Sequence, residues 1–127
     1  MRIVDTDFLI AFLSGDEAAR DMAQKLEDDD NFGTTAISAM ELFVGAYKND
    51  KAKETVRKIL SKFDVLELNE ENVEIVADVF NSCKKKGQTL DINDAMIAGI
   101  VISRGHTLVT RNVRHFNRID DLHIEVW

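Results

Sequence analysis

Short β-branched runs alternate along this chain with longer stretches whose apolar residues recur every three or four positions. Arg2 to Val4 reads as a strand, and Phe8, Leu9, Phe12 and Leu13 then form a short helical stripe closed by Ser14-Gly15. Asp16 to Glu27 is a second helix on Ala19, Met22, Ala23 and Leu26, ended by Asp28-Asp29-Asp30-Asn31. Phe32 to Ala36 is the second strand, and Ser38 is placed to cap a helix from Ala39 to about Tyr47. Lys51 to Phe63 is helical on Val56, Ile59, Leu60 and Phe63, and Asp64 to Leu68 follows as a strand. Asn69 caps the next helix, which turns Val73, Ile75, Val76, Val79 and Phe80 inward and closes at Lys84-Lys85-Lys86-Gly87. The lysines suit the negative end of that helix or a phosphate. The most apolar helix, Leu90 to Arg104, carries Ala95, Ala98 and Gly99, small enough to let a neighbouring backbone approach, and ends at Gly105. Thr107 to Thr110 and His123 to Val126 supply two more strands.

This alternation predicts an α/β fold: a parallel sheet of about five strands, covered on both faces by the helices its crossovers need. At 127 residues the chain is expected to form a single domain over 1–127. Ligands in such sheets collect beyond the carboxyl ends of the strands, where the strand order reverses.

Composition removes several function classes. With 45% hydrophobic and 31% charged residues the chain is not a disordered one. Its single cysteine, Cys83, cannot form an internal bridge, and the opening MRIVDTDF has no basic segment leading into an apolar one. A secreted disulfide scaffold is excluded on this reading, and a cytoplasmic location is expected. The longest apolar run, Met96 to Ile102, is far short of the roughly 18 residues a membrane span requires. The net charge of −7 argues against an all-over basic surface, yet residues 84–127 carry +2 where residues 1–83 carry −9. A polyanion would meet the C-terminal third.

Four carboxylates draw attention. Asp5 directly follows the first strand in apolar surroundings, where it is either a helix cap or a site residue. Asp7, two positions on, is expected to aim elsewhere and to be structural. Glu41 lies among Met40, Leu42, Phe43 and Val44, an unusual setting for a residue almost never buried unpaired. Asp91 and Asp94 share a face at the start of the Leu90–Arg104 helix, where both also make good helix-terminus chemistry. All four belong to one end of the predicted sheet. Two like charges about 5 Å apart repel by roughly 3 kcal/mol at an effective dielectric near 20, so a cluster calls for a cation. Oxygen-only donors suit Mg²⁺ or Mn²⁺, which can activate water against a phosphodiester. Beyond the fourth strand, Thr110 and Asn112 can support such a site, and Arg111 and Arg114 can hold phosphates or simply be surface charge. His115 reads as a packed or surface histidine. No Gly-rich phosphate loop, zinc pattern or Ser-His-Asp set is present.

The segments IVDTDFLI (3–10), SAMELFVGA (38–46), LDINDAMIAGI (90–100) and LVTRNVRHF (108–116) together resemble a PIN-domain ribonuclease, and more narrowly the VapC-type toxin of VapBC toxin-antitoxin systems. The resemblance spans essentially the whole chain. It implies a three-layer α/β/α fold, an acidic Mg²⁺ or Mn²⁺ site, endonuclease cleavage of RNA, a homodimer and a small VapB-like antitoxin covering the active site. By position, the family's acidic residues fall on Asp5, Glu41 and Asp94, with Asp91 acidic in some members and Thr6 and Thr110 in carboxylate-supporting places. Asn112 stands where many relatives have aspartate, which lowers the charge available to a second metal; Asp91 can compensate. Phe8, Phe12 and Leu13 are candidates for an antitoxin groove or for the core. Two other functions stay open: an RNA-processing PIN nuclease without an antitoxin, and a non-catalytic PIN-like interaction module.

Overall fold

A computed structural model describes residues 1–127. The order is β1 (Arg2–Val4), α1 (Thr6–Leu13), α2 (Glu17–Asp29), β2 (Phe32–Thr35), α3 (Ala36–Gly45), α4 (Asp50–Leu60), β3 (Asp64–Leu66), α5 (Glu70–Lys85), α6 (Ile92–Ser103), β4 (Thr107–Val109), α7 (Val113–Phe116) and β5 (His123–Glu125). All strand pairs are parallel, in the order β3-β2-β1-β4-β5. The chain therefore builds outward from β1 on one side, then crosses back to place β4 on the other. That reversal opens a crevice between the carboxyl ends of β1 and β4.

Alternate side chains of the central strands enter opposite cores, as the two-residue period of a strand requires. Ile3 and Leu108 pack with Val76, Val79, Ile97 and Ile100 of α5 and α6. Val4 and Val109 pack on the other face with Phe8, Leu9, Met22, Leu26, Val56 and Ile59 of α1, α2 and α4. Three layers result, as expected. Gly99 lies so close to α5 that a Cβ there would run into Val76, which accounts for the small residues in α6. No helix is long and apolar enough to cross a membrane.

Several boundaries differ from the sequence reading. The third helix begins at Ala36, capped by the Thr35 hydroxyl, and Ser38 sits inside its first turn. Thr35 ends a strand and caps a helix at once, so no polar loop residue marks the junction. Strand β3 stops at Leu66, α4 at Leu60 and α3 at Gly45. The four-residue helix α7, without a side-chain cap, is unforeseen.

Candidate active site

Asp5 occupies the first position beyond β1, at the mouth of the crevice, and is 3% exposed. Its two oxygens are held separately. Oδ1 accepts from the Phe8 backbone N–H at 2.9 Å, so Asp5 does cap α1; Oδ2 accepts from the Thr110 hydroxyl, at the end of β4. Thr110 in turn accepts from the Asn112 N–H at 2.9 Å. Burial pushes the Asp5 carboxyl up to about 6 against the pull of these two bonds, and the charges of Asp7 and Asp94 push the same way. No cation pairs with it.

Asp94, in the first turn of α6, reaches the same space. Its carboxyl is also raised, by burial first and then by the charges of Asp91, Glu41 and Asp7, against the opposing influence of His115. The His115 Nδ1 lies 3.7 Å from Asp94 Oδ2 and 3.0 Å from Asn112 Nδ2. Glu41, in the second turn of α3, is half-buried and accepts a hydrogen bond from the Thr6 hydroxyl at 2.9 Å.

Asp5, Thr6, Asp7, Glu41, Asp94, Asn112 and His115 line a cavity of about 160 Å³ floored by Ile97 and Phe116, with no lysine or arginine among the lining residues. Thus Asp5, Glu41 and Asp94 come together, with Thr6 and Asn112 beside them. Asp91 does not line the cavity: it is exposed and caps α6 through the Asn93 N–H at 3.0 Å, touching the site only by its charge on Asp94. Arg111 points across Trp127, its guanidinium 4.3 Å from the ring centre and 3.5 Å from Asp16. Arg114 is exposed and forms no ion pair. Lys86 pairs with Asp120 at 2.9 Å, away from the acidic cavity.

Two lining residues depart from the sequence reading. Asp7, two positions on from Asp5, was expected to aim elsewhere; it lies in the first turn of α1 and lines the cavity. His115 sits three positions after Asn112 on the single turn of α7, the spacing that puts two residues on one helix face. That signal was present, but it needed α7 to be read.

The donor chemistry fits a hard divalent cation. Asp5, Asp7, Glu41 and Asp94 offer carboxylate oxygens, and Asp5 is a buried acid with no cationic partner. No three of the groups are spaced to grip one ion as they stand. Mg²⁺ does not need that, since it binds through one or two carboxylates and fills its remaining positions with water and substrate phosphates.

The PIN domain family model matches residues 2–122. The tRNA(fMet)-specific endonuclease VapC of Salmonella typhimurium is 32% identical over 96 residues, 73% of each chain. Ribonuclease VapC1 of Haemophilus influenzae is 27% identical over 129 residues, covering 98% of this chain and 96% of its own. Among solved structures, the DNA-bound VapBC of Salmonella typhimurium superposes with a TM-score of 0.88 at 27% identity, over 99% of this chain and 97% of that one. With the matching model spanning nearly the whole sequence and the acidic cavity at the reversal of the sheet, the chain belongs to the PIN domain family, among the VapC proteins.

Proposed function

We propose that this protein is an endoribonuclease, the toxin of a type II toxin-antitoxin pair, hydrolysing RNA phosphodiester bonds with Mg²⁺ or Mn²⁺ at the Asp5–Glu41–Asp94 cavity. The observation that carries the reading is Asp5: an unpaired carboxylate 3% exposed, held on both oxygens and facing other acids. A buried anion so placed is costly unless a cation arrives with the substrate. The names of the VapC relatives support the substrate class.

A divalent ion bound here would neutralise charge on the phosphodiester and make water a better nucleophile. The residues of the chain do the rest. Asp5 and Asp94 would hold the ion, and Glu41, fixed by Thr6, would either join them or take a proton from water at the phosphodiester. Asn112 and Asp7 complete the polar wall, and Thr110 fixes the orientation of the Asp5 carboxylate by donating to Oδ2. Arg114, free on the surface beyond β4, contacts RNA phosphates. Asp91 acts from outside, by charge.

A second surface supports the toxin part of the reading. Ile10 and Leu13, 49% and 40% exposed, line a groove of about 490 Å³ with Leu42, Ala46 and Val56, and Glu41 stands at its edge. An amphipathic segment of a VapB-like antitoxin laid there would cover Glu41. Phe8, at 1% exposure, belongs to the core instead. The reading includes a homodimer and a cytoplasmic location.

The test is RNA cleavage by the purified chain with Mg²⁺, with Mn²⁺ and in EDTA, beside Asp94→Asn. Cleavage is expected only with metal and only in the parent. Cleavage undiminished in EDTA or in Asp94→Asn would overturn the metal mechanism.

A further inference from the structure

Three hydroxyls lie in a row behind Glu41. Thr35 and Ser38 are fully buried, at 0% exposure each, and Thr6 is nearly so. Thr35 Oγ1 is 3.3 Å from Ser38 Oγ, Ser38 Oγ is 3.1 Å from Thr6 Oγ1, and Thr6 Oγ1 is 2.9 Å from Glu41 Oε1. The row has three oxygen–oxygen contacts and three hydroxyl protons, because an ionised glutamate only accepts. The contact with Glu41 must use the proton of Thr6. That leaves the Thr6–Ser38 contact to the proton of Ser38, and the Ser38–Thr35 contact to that of Thr35. Any other assignment sets two oxygens face to face with no proton between them, away from water, which is unfavourable in a buried site. The head of the row agrees, since the Ser38 backbone N–H donates to Thr35 Oγ1 at 3.1 Å and leaves the Thr35 proton to point onward.

Ser38 is three residues before Glu41 on α3, so both lie on the helix face turned to Thr6. Thr6 is the first residue of α1, next to Asp5. The row therefore ties the corner after β2 to the corner after β1 through one ordered set of protons.

We propose that Ser38 is a positioning residue for the active site: its buried hydroxyl holds Thr6 in the single proton arrangement that donates to Glu41, and so fixes the Glu41 carboxylate toward the cavity. The inference rests on the nuclease reading above for what Glu41 is positioned to do. Thr6 alone could donate to Glu41 or turn away. With Ser38 donating to it, only the first option keeps every contact protonated.

The experiment is a double-mutant cycle read by Mn²⁺ binding to the RNA-free protein in calorimetry, using parent, Ser38→Ala, Glu41→Gln and the double variant. Partners that orient a metal ligand typically change metal affinity about 10- to 100-fold when removed. Ser38→Ala is expected to weaken Mn²⁺ binding about tenfold in the parent and less than about twofold in the Glu41→Gln background. Equal losses in both backgrounds, or none in the parent, would overturn the assignment. Should Ser38→Ala fail to fold, Thr6→Val against Thr6→Ser decides: Val is expected to lose affinity and Ser to keep it, and equal affinities would overturn the row. A parent that binds no Mn²⁺ would overturn both this inference and the metal mechanism. A parent that binds Mn²⁺ and cleaves RNA, with Ser38→Ala indistinguishable from it, would overturn this inference alone.

Discussion

The Thr110 hydroxyl donates to Oδ2 of Asp5, joining the carboxyl ends of the two central strands across 105 positions of sequence. The bond stabilises the ionised form of a carboxyl that burial disfavours.

Removing that donor should move both chemistry and stability. In Thr110→Val the shape is kept, Asp5 loses a donor and the Asn112 N–H loses its acceptor. The variant is expected to be less stable by about 1 to 3 kcal/mol. The acid limb of its pH–rate profile should lie at higher pH, since Asp5 ionises less readily. Urea unfolding and pH–rate profiles check this; an unmoved acid limb would mean that Asp5 ionisation does not limit the reaction.

A carboxyl raised by folding stabilises the native state while it is protonated. The contribution of Asp5 is therefore complete below its ordinary value of 3.8 and lost as pH rises through about 6. Between pH 4 and pH 8 the metal-free protein should lose about 2 kcal/mol relative to Asp5→Asn, which lacks the titration. Unfolding in EDTA at several pH values, parent against variant, measures the difference. A difference that stays flat with pH would count against an unpaired, buried Asp5.

Asp94 and Asp91 should behave oppositely though only three residues apart. Asp94 accepts no hydrogen bond and meets the charges of Asp91, Glu41 and Asp7, so Asp94→Asn is expected to stabilise the metal-free protein by about 1 kcal/mol. Asp91 caps α6, and Asp91→Ala is expected to cost about 1 kcal/mol. Excess Mg²⁺ should stabilise the parent as RT ln(1 + [L]/Kd) and Asp94→Asn much less. Thermal unfolding with EDTA and with Mg²⁺ reads all three. Matching signs for the two variants would break the distinction drawn between site and cap.

The two arginines after β4 should also separate. Arg114→Ala is expected to flatten the salt dependence of RNA binding by about one unit. Arg111, stacked on Trp127 and facing Asp16, should change it less and contribute to stability instead, by about 0.5 to 1 kcal/mol. Filter binding across a salt series distinguishes them; equal slopes for both variants would mean that the stack does not restrain Arg111.

Much of this was legible in the sequence because its signals are local. The β-branched run at Ile3-Val4 marks β1, and an acid following it marks the strand end where ligands gather. The spacing of Ala95, Ala98 and Gly99 announced the close approach of α5. What escaped depended on contacts between distant segments or on doubled roles. Thr35 is strand end and helix cap together, so the start of α3 and the position of Ser38 within it were misplaced. Asp7 was judged by its two-residue step from Asp5 alone, whereas Asp5 is the cap and Asp7 the second residue of α1, both at the cavity. His115 gains its meaning from Asp94, which lies on another helix. Asp5 was weighed as cap or site residue, and it caps α1 at the mouth of the cavity.

The sheet order also sets a timetable for biosynthesis. Central β1 is made before β2 and β3, yet its neighbour β4, followed by Thr110, is made after both. At about 5 to 20 residues per second, the interval between Asp5 and Thr110 on the ribosome is on the order of 5 to 20 seconds. Until β4 emerges, the nascent chain has an open sheet edge at β1 and an Asp5 without its hydroxyl. The cavity is therefore completed only once β4 and α7 have emerged, long after the carboxylates of Asp5 and Glu41 have been made.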